Sequence, residues 1–163
     1  MAKRISFKYF VIVLFASLLL AVPADAADKE IGWSTGQLIY VPAYSHIYSV
    51  HEEKPFLLTV TLSIRNIDPK NPIKIISADY YETKGKLIKN YIETPVILKP
   101  LEAVRYVVPR KDESGGSGAN FLVEWRSDKK VNPPIIESIM ISTQMQRGVS
   151  FTSRGREILI PEQ

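Results

Sequence analysis

The sequence predicts an all-β protein, an antiparallel β-sandwich of the immunoglobulin or fibronectin kind, with a small β-barrel as the alternative. Apolar side chains recur at every second residue in several short runs, which is the period of a half-buried strand. Eleven prolines and eight glycines interrupt the chain so often that long helices have little room. Short strands separated by turns roughly every 8 to 15 residues are typical of sandwiches and barrels.

The clearest predicted strand is Phe56–Ile64, in which apolar side chains alternate with threonine and serine. Phe121–Trp125 alternates with charged side chains in the same way, and its two aromatic residues are expected in the core. Ile135–Ile141 is a noisier strand, for which the spacing leaves a helix as the alternative. Further strands are expected at Gln37–Val41, Ile73–Tyr81, Lys86–Ile92, Val96–Leu98, Ala103–Val108, Val149–Ser153 and Glu157–Ile160.

Three local patterns predict how these strands are connected. Tyr80–Lys86 is typical of a hairpin turn, with Gly85 in the left-handed conformation. The apolar parity switches between Ile75 and Ile76, which predicts a β-bulge. Asn66–Pro72 is rich in Asx and proline residues and predicts a tight turn.

Composition excludes several classes of function. The chain has no cysteine, so disulfides, thiolate metal sites, cysteine nucleophiles and a lipid-modified cysteine are excluded. The net charge of +4 falls to +2 if residues 1–26 are removed, because three basic side chains and one acidic side chain leave with them. Such a balance gives no electrostatic case for binding nucleic acid or an anionic membrane surface.

The first 26 residues resemble a removable export signal. Lys3, Arg4 and Lys8 precede the uncharged run Tyr9–Val22, and small residues at Ala24–Ala26 suit a signal peptidase. The run is too short for an ordinary transmembrane helix, so an uncleaved anchor is the lesser alternative. We therefore expect a periplasmic or secreted protein with no stable membrane span after cleavage. The expected organisation is a signal peptide at 1–26, tails at 27–36 and 161–163, and one sandwich domain at 37–160.

A glycine-rich stretch between predicted strands is a candidate binding loop. Lys111–Asn120 contains three glycines in four residues, with Ser117 among them and Asn120 after them. A phosphate loop or a nucleophile elbow would have to lead into a helix, whereas Phe121 opens a strand here. A solvated connecting loop is the ordinary interpretation, and binding is the functional one, because exported domains carry function on such loops.

Tyrosine and histidine are concentrated in another segment. Tyr44, His46 and Tyr48 follow one another at alternate positions, and aromatic side chains with a polar tip favour binding surfaces. Two histidines without cysteine are a weak supply of metal ligands, and His46 and His51 would face opposite sides of an extended segment. The ordinary interpretation is that the tyrosines pack at a sheet edge and the histidines bond to backbone.

Arginines near the end of the chain form the last candidate site. Arg147, Arg154 and Arg156 lie close to two glycines, and three guanidinium groups could hold a carboxylate or a phosphate. A solvated rim is the ordinary interpretation.

Five longer stretches of the chain together carry a family resemblance: Gly36–Tyr48, Leu62–Asn66, Asp79–Tyr81, Ser114–Phe121 and Ser150–Arg156. With these stretches the chain resembles a bacterial exported family known as a domain of unknown function, numbered three-one-two-four. The resemblance implies a bacterial envelope setting and covers nearly the whole chain after the signal, but it implies no activity, cofactor or catalytic residue.

The sequence therefore favours an exported, non-enzymatic domain that binds a protein or another envelope component of unknown identity. The alternatives are a small periplasmic hydrolase that uses Ser117 or His46, and a metal-binding periplasmic protein. No catalytic residue, metal ligand or cofactor is assigned. The candidate binding residues are Tyr44, His46, Tyr48, Ser117, Asn120, Arg154 and Arg156.

Overall fold

The computed structural model describes residues 32–48, 55–144 and 147–159. Within these ranges the chain forms twelve strands and one 3₁₀ turn at Gly116–Gly118, and every strand pair is antiparallel. The strands are β1 Ser34–Pro42, β2 His46–Ile47, β3 Phe56–Leu57, β4 Thr59–Arg65, β5 Ile73–Tyr81, β6 Leu87–Asn90, β7 Val96–Leu98, β8 Ala103–Val108, β9 Asn120–Val131, β10 Ile135–Gln144, β11 Arg147–Arg154 and β12 Arg156–Glu157.

The strands assemble into two sheets that face each other across one core. The first sheet has the order β12-β1-β9-β5-β6, with β7 also paired to β5, and the second has the order β11-β10-β4-β8. A short ribbon of β2 and β3 stands beside them. The predicted all-β antiparallel sandwich is confirmed. The barrel alternative is wrong, because in the described residues the two sheets remain separate instead of closing on each other.

The core follows from the period-two pattern. Every second side chain of β4 and β9 points between the sheets, and Trp125 and Phe121 are fully buried there, as expected. Tyr80 stacks on Phe121 with ring centroids 4.9 Å apart, and Tyr91 closes one side of the sandwich against Tyr106. Burial of these aromatic residues together with the many aliphatic side chains of the core is the main stabilising contribution in a domain without disulfides.

The predicted local irregularities are present. The register of β5 against β9 shifts between Ile75 and Ser77, which is the bulge that the parity switch predicted. The turn between β5 and β6 is a hairpin, and Gly85 has a φ of 82°. The segment Ile135–Ile141 is a strand and not a helix.

Several boundaries differ from the sequence expectation. The predicted strand Phe56–Ile64 is divided at Leu58 into β3 and β4, which belong to different sheets. β1 begins at Ser34, inside the stretch predicted as a tail, because Ser34 pairs with Val131 at the far end of β9. β9 extends to Val131, beyond the predicted Phe121–Trp125. The polar residues 126–130 break the apolar alternation, but Val131 at the end of the strand is buried and pairs with Ser34 of β1. The predicted end at Ile160 lies outside the described residues.

The predicted Asx turn closes one end of the sandwich, here named the asparagine end (residues 66–72, 99–102 and 132–134). Asp68 is buried, and its carboxylate accepts backbone N–H groups from Lys70 at 2.9 Å, Asn71 at 2.8 Å and Asn132 at 3.1 Å. Asn66 donates its side-chain amide to the carbonyls of Asn71, Leu98 and Lys99. The hydrogen bond from the Lys70 backbone lowers the pKa of Asp68 most, and the bonds from Asn71 and Asn132 lower it further. Burial acts in the opposite direction, and the pKa of Asp68 is about 2.

Candidate functional site: the glycine-loop end

The opposite end of the sandwich is formed by three connecting segments, here together named the glycine-loop end (residues 43–48, 82–86 and 109–119). The segment after β1 continues as if it were a strand against the glycine loop. Ala43 donates its backbone N–H to Ala119 at 2.8 Å, and Ser45 donates to Gly116 at 3.0 Å. The chain therefore carries Tyr44 and His46 directly alongside the loop that carries Ser117.

Thr83 fixes the glycine loop from the other side. Its hydroxyl donates to the Gly115 carbonyl at 2.9 Å and accepts the Gly118 N–H at 3.0 Å, and its backbone N–H also reaches Gly115. Gly116 has a φ of 78°, a conformation that favours glycine. The glycines thus serve a defined 3₁₀ turn, and the expectation of a freely solvated loop is wrong for its buried members Gly115 and Ala119.

A buried pair of hydroxyl groups lies beneath the loop. Ser45 Oγ and Tyr80 OH are 2.8 Å apart, and Gly115 lies on top of them. A β-carbon at Gly115 would overlap the Tyr80 hydroxyl and come within 2.7 Å of Ser45 Oγ, so only glycine fits. Burial raises the pKa of the Tyr80 phenol, which stays a neutral hydrogen-bonding group at physiological pH. The loop is therefore held by the core and has little freedom to rearrange.

The histidine and tyrosine side chains lie at the surface of this end. The His46 Nε2 atom is 3.3 Å from the Tyr48 hydroxyl, and the two rings meet edge to face with centroids 5.3 Å apart. Tyr48 is 53% exposed. The Nδ1 atom of His46 is buried and has no hydrogen-bond partner among the described residues. Among the described residues His46 therefore makes no hydrogen bond to backbone, and His51 lies outside the described residues.

The remaining candidates of this end take different orientations. Tyr44 is half-buried and packs on Phe151 of β11, with centroids 6.0 Å apart. Ser117 is exposed on the 3₁₀ turn, and Asn120 lies on the outer face of the first sheet, in register with Pro42 and Tyr81. Five of the seven residues chosen from the sequence thus gather at one end of the sandwich.

The two described arginine side chains do not join them. Arg154 is in register with Glu137 in the second sheet, whereas Arg156 is in register with Tyr40 in the first. Gly155 separates them where the chain passes from one sheet to the other, and its N–H is bonded to the Ile136 carbonyl. The idea of one arginine pocket is not supported for this pair, because the crossing assigns the two side chains to different sheets.

One polar side chain outside the seven candidate residues has an unusual environment. Asp79 lies on the outer face of β5 between Leu122 and Asn90, and its Oδ1 atom is buried without a partner among the described residues. Burial raises the pKa of this carboxyl group. The signal in the sequence was an acidic residue near the end of a predicted strand, but the pattern alone does not reveal whether a neighbour bonds to it.

Within the described ranges no three or more histidine, cysteine, aspartate or glutamate side chains come close enough to hold a metal ion. A shallow cleft of about 220 Å³ lies away from the glycine-loop end, and Lys74, Ile97 and Arg126 are among the residues that line it. None of the helical structure in the described part of the chain is long and apolar enough to cross a membrane.

Comparison with known proteins identifies the family. The family described as "Protein of unknown function (DUF3124)" matches residues 36–158. The chain belongs to the DUF3124 family. The match spans this DUF3124 domain from the first strand to the residue after β12, so it includes both ends of the sandwich. The resemblance inferred from the sequence is confirmed.

Other comparisons add little to the family assignment. No curated protein shows a significant match to the chain. Among the solved structures, "Crystal Structure of Thermotoga maritima 1070" is similar with a TM-score of 0.44 and 12% identity, over 74% of this chain and 92% of that chain. A likeness this distant carries no argument about the function of the DUF3124 domain.

Proposed function

We propose that this protein is an exported, non-enzymatic domain of the bacterial cell envelope that binds a partner protein or envelope ligand through its glycine-loop end. The observation that carries the proposal is the rigid mounting of that end. Thr83, Ser45 and Tyr80 fix the loop backbone, while Tyr48 and Ser117 remain at the surface. Loops held rigid by a sandwich are a common place for binding sites, because little conformational entropy is lost on association.

The chemistry of the exposed groups suits recognition of a polar partner. Tyr48 offers a ring with a hydroxyl, and Ser117 offers a second hydroxyl. Beneath Tyr48, the buried Nδ1 atom of His46 has no hydrogen-bond partner among the described residues. Tyrosine provides a large contact area with few rotatable bonds and is enriched at binding surfaces. A ligand or protein loop that displaces the Tyr48 ring would gain access to the imidazole.

The two alternatives receive no specific support from the geometry. A serine hydrolase needs a base within hydrogen-bond reach of its nucleophile, and Ser117 makes no side-chain hydrogen bond with any described residue. Metal binding would require ligands beyond His46. Titration with copper or zinc, followed by calorimetry, tests the metal proposal, and fluorophosphonate labelling of the wild type against Ser117→Ala tests the serine hydrolase.

Export rests on the sequence of residues 1–26 and has its own test. The full chain, expressed with a C-terminal tag in a Gram-negative host, should appear in the periplasmic fraction or the medium. Its N-terminus should be Ala27, as read by mass spectrometry. Recovery of an intact Met1 terminus in the cytoplasm would contradict export, and an intact terminus in the membrane fraction would indicate a retained anchor.

Site-directed photo-crosslinking tests the binding surface. A benzoylphenylalanine at position 117 should give a discrete crosslinked product in cells, because Ser117 is exposed at the proposed site. The matched control places the same group at Thr152, which is exposed in β11 on the outer face of the second sheet. Products of equal yield at both positions, or at position 152 alone, would refute the assignment of the binding site to the glycine-loop end.

A further inference from the structure

The asparagine end carries a group of exposed apolar side chains that the fold does not use. Trp33 is 63% exposed, Leu101 71% and Ile67 38%. They surround the hydrogen-bonded cluster of Asp68: Trp33 precedes the pairing of Ser34 with Val131, and the backbone N–H beside Ile67 donates to Glu102 in the turn that presents Leu101. Single exposed apolar residues are ordinary, but three at one end of a small domain form a candidate surface.

Leu101 occupies a conformation that is unfavourable for leucine. Its φ is 62°, at the tip of the turn Lys99–Glu102, where glycine or asparagine would be less strained. The turn is fixed on both sides, because Glu102 N–H donates to the Lys99 carbonyl and Glu102 Oε2 accepts the Lys99 N–H at 2.7 Å. Neither the backbone strain nor the exposed isobutyl group stabilises the fold, which makes Leu101 a candidate contact residue.

Exposed basic side chains lie on the same segments as these apolar residues. Lys70, Lys99, Lys129 and Lys130 are all exposed at this end, against the acidic groups of Asp128 and Glu102. On the adjoining face of the first sheet, Lys74 lies directly opposite Arg126 beside the shallow cleft. Like charges opposite each other on neighbouring strands repel, and Glu124 relieves this only in part through its 2.8 Å ion pair with Arg126. The local surface is therefore cationic although the chain as a whole is nearly balanced.

Exposed apolar side chains together with exposed lysines suit binding to the surface of an anionic bilayer. The N-terminal connection of the domain favours the same partner. The described chain starts at Gly32, at this end. Only residues 23–31 separate it from the apolar run Tyr9–Val22, a reach of at most about 30 Å. With the signal retained as an anchor, this short connection would limit how far Gly32 can lie from the membrane. This last step rests on the proposed export, whereas the tips and the lysines do not.

We propose that the asparagine end docks on an anionic phospholipid surface, with Leu101, Trp33 and Ile67 entering the interfacial region and the lysines contacting lipid phosphates. Tryptophan favours the boundary between headgroups and acyl chains, and basic residues near it add electrostatic attraction. The docking would leave the glycine-loop end, at the opposite pole of the sandwich, free for its partner.

The two tryptophans make the proposal directly measurable. Trp125 is fully buried and Trp33 is exposed, so a change in emission on vesicle addition reports on Trp33. The experiment uses residues 27–163, which retain the whole compact unit Ile31–Gln163. Vesicles of phosphatidylethanolamine with phosphatidylglycerol should shift the emission to the blue and carry the protein on flotation. Vesicles of phosphatidylcholine alone should bind it at least about tenfold more weakly.

Leu101→Gly is the decisive variant, because glycine suits a φ of 62° and the fold should tolerate it. We expect about tenfold weaker binding to anionic vesicles with an unchanged melting temperature. Ile141→Ser, which removes an exposed apolar side chain from the second sheet, is the matched control and should bind as the wild type does. Equal losses in both variants would overturn the assignment to Leu101.

Charge reversal completes the test. Lys129→Glu with Lys130→Glu should weaken anionic-vesicle binding by at least about tenfold. Lys84→Glu with Lys86→Glu, an equal change of charge at the glycine-loop end, should have a much smaller effect. Absence of vesicle binding by the wild type, or equal sensitivity to the two reversals, would defeat the proposal. Neither result would touch the crosslinking test at Ser117.

Discussion

The connecting segments at the two ends of this sandwich are held in place by different interactions. At the asparagine end, one buried carboxylate gathers three backbone N–H groups, and Asn66 gathers three carbonyls. At the glycine-loop end, the loop backbone bonds to two hydroxyl-bearing residues, Thr83 and Ser45, and fits around them because it has no β-carbon at Gly115. The stability of the asparagine end depends on the charge of Asp68, and that of the glycine-loop end depends on the close packing at Gly115. We therefore expect a change of pH to weaken the first end and an added side chain to weaken the second.

The largest effect is expected at Asp68. Asp68→Ala would leave the backbone N–H groups of Lys70, Asn71 and Asn132 without their acceptor. The change would therefore weaken two turns, the one after β4 and the one between β9 and β10. We expect a loss of stability greater than that of any change discussed below, measured as a fall in the urea midpoint of unfolding. Asp68→Asn keeps the shape but turns a donor toward Asn132, and it should show a smaller fall.

The same carboxylate gives the asparagine end a pH dependence. The pKa of Asp68 is about 2 in the folded chain, below its ordinary value of 3.8. The folded state therefore favours the ionised form, so this contribution is fully present well above pH 3.8 and is lost as the pH falls from 3.8 through 2. Urea unfolding between pH 5 and pH 2 should show the loss in the wild type, whereas Asp68→Asn should lack this component. Parallel pH profiles for the two proteins would contradict it.

The shape-dependent end should respond most to Gly115→Ala. The new β-carbon would overlap the Tyr80 hydroxyl, so the buried ring or the loop must shift, at a cost of about 2–3 kcal/mol. Gly148→Ala is the matched control. No atom lies within 4 Å of its β-carbon position, and its φ is not left-handed, so its stability should stay within about 0.5 kcal/mol of the wild type. Chemical denaturation of the two variants side by side decides the point.

A smaller effect is expected from the hydroxyl pair itself. Tyr80→Phe removes one partner of the 2.8 Å contact and leaves Ser45 Oγ buried without it, at a cost of about 1 kcal/mol. The double variant Ser45→Ala with Tyr80→Phe removes both polar groups and should recover part of that loss. Strictly additive losses in the double variant would show that the two hydroxyls do not interact.

The contrast also explains which features the sequence could predict. The asparagine end was predictable as a turn, because Asx and proline residues act on backbone two or three positions away. The bulge at Ile75 and the turn at Gly85 were predictable for the same reason, since each is a local departure from a period of two. The fit of Gly115 over Ser45 and Tyr80 joins three distant segments, and no local pattern encodes it. Likewise, the seven candidate residues were chosen from the sequence by residue type. Their positions depend on the order of the strands, which brings five of them to one end of the sandwich and places Arg154 and Arg156 in different sheets.

The smallest effect is expected at Asp79, whose situation is the opposite of that of Asp68. No described residue bonds to its buried Oδ1 atom, and burial raises its pKa above 3.8. The folded state thus favours the protonated form, so the stabilisation is present below pH 3.8 and is lost as the pH rises through the raised pKa. At pH 7 the ionised Asp79 side chain slightly lowers the stability of the folded state, and Asp79→Asn would remove this effect. The variant should therefore have a slightly higher urea midpoint than the wild type at pH 7 and no advantage at pH 3. An advantage of the same size at both pH values would mean that packing, and not the charge of Asp79, is responsible.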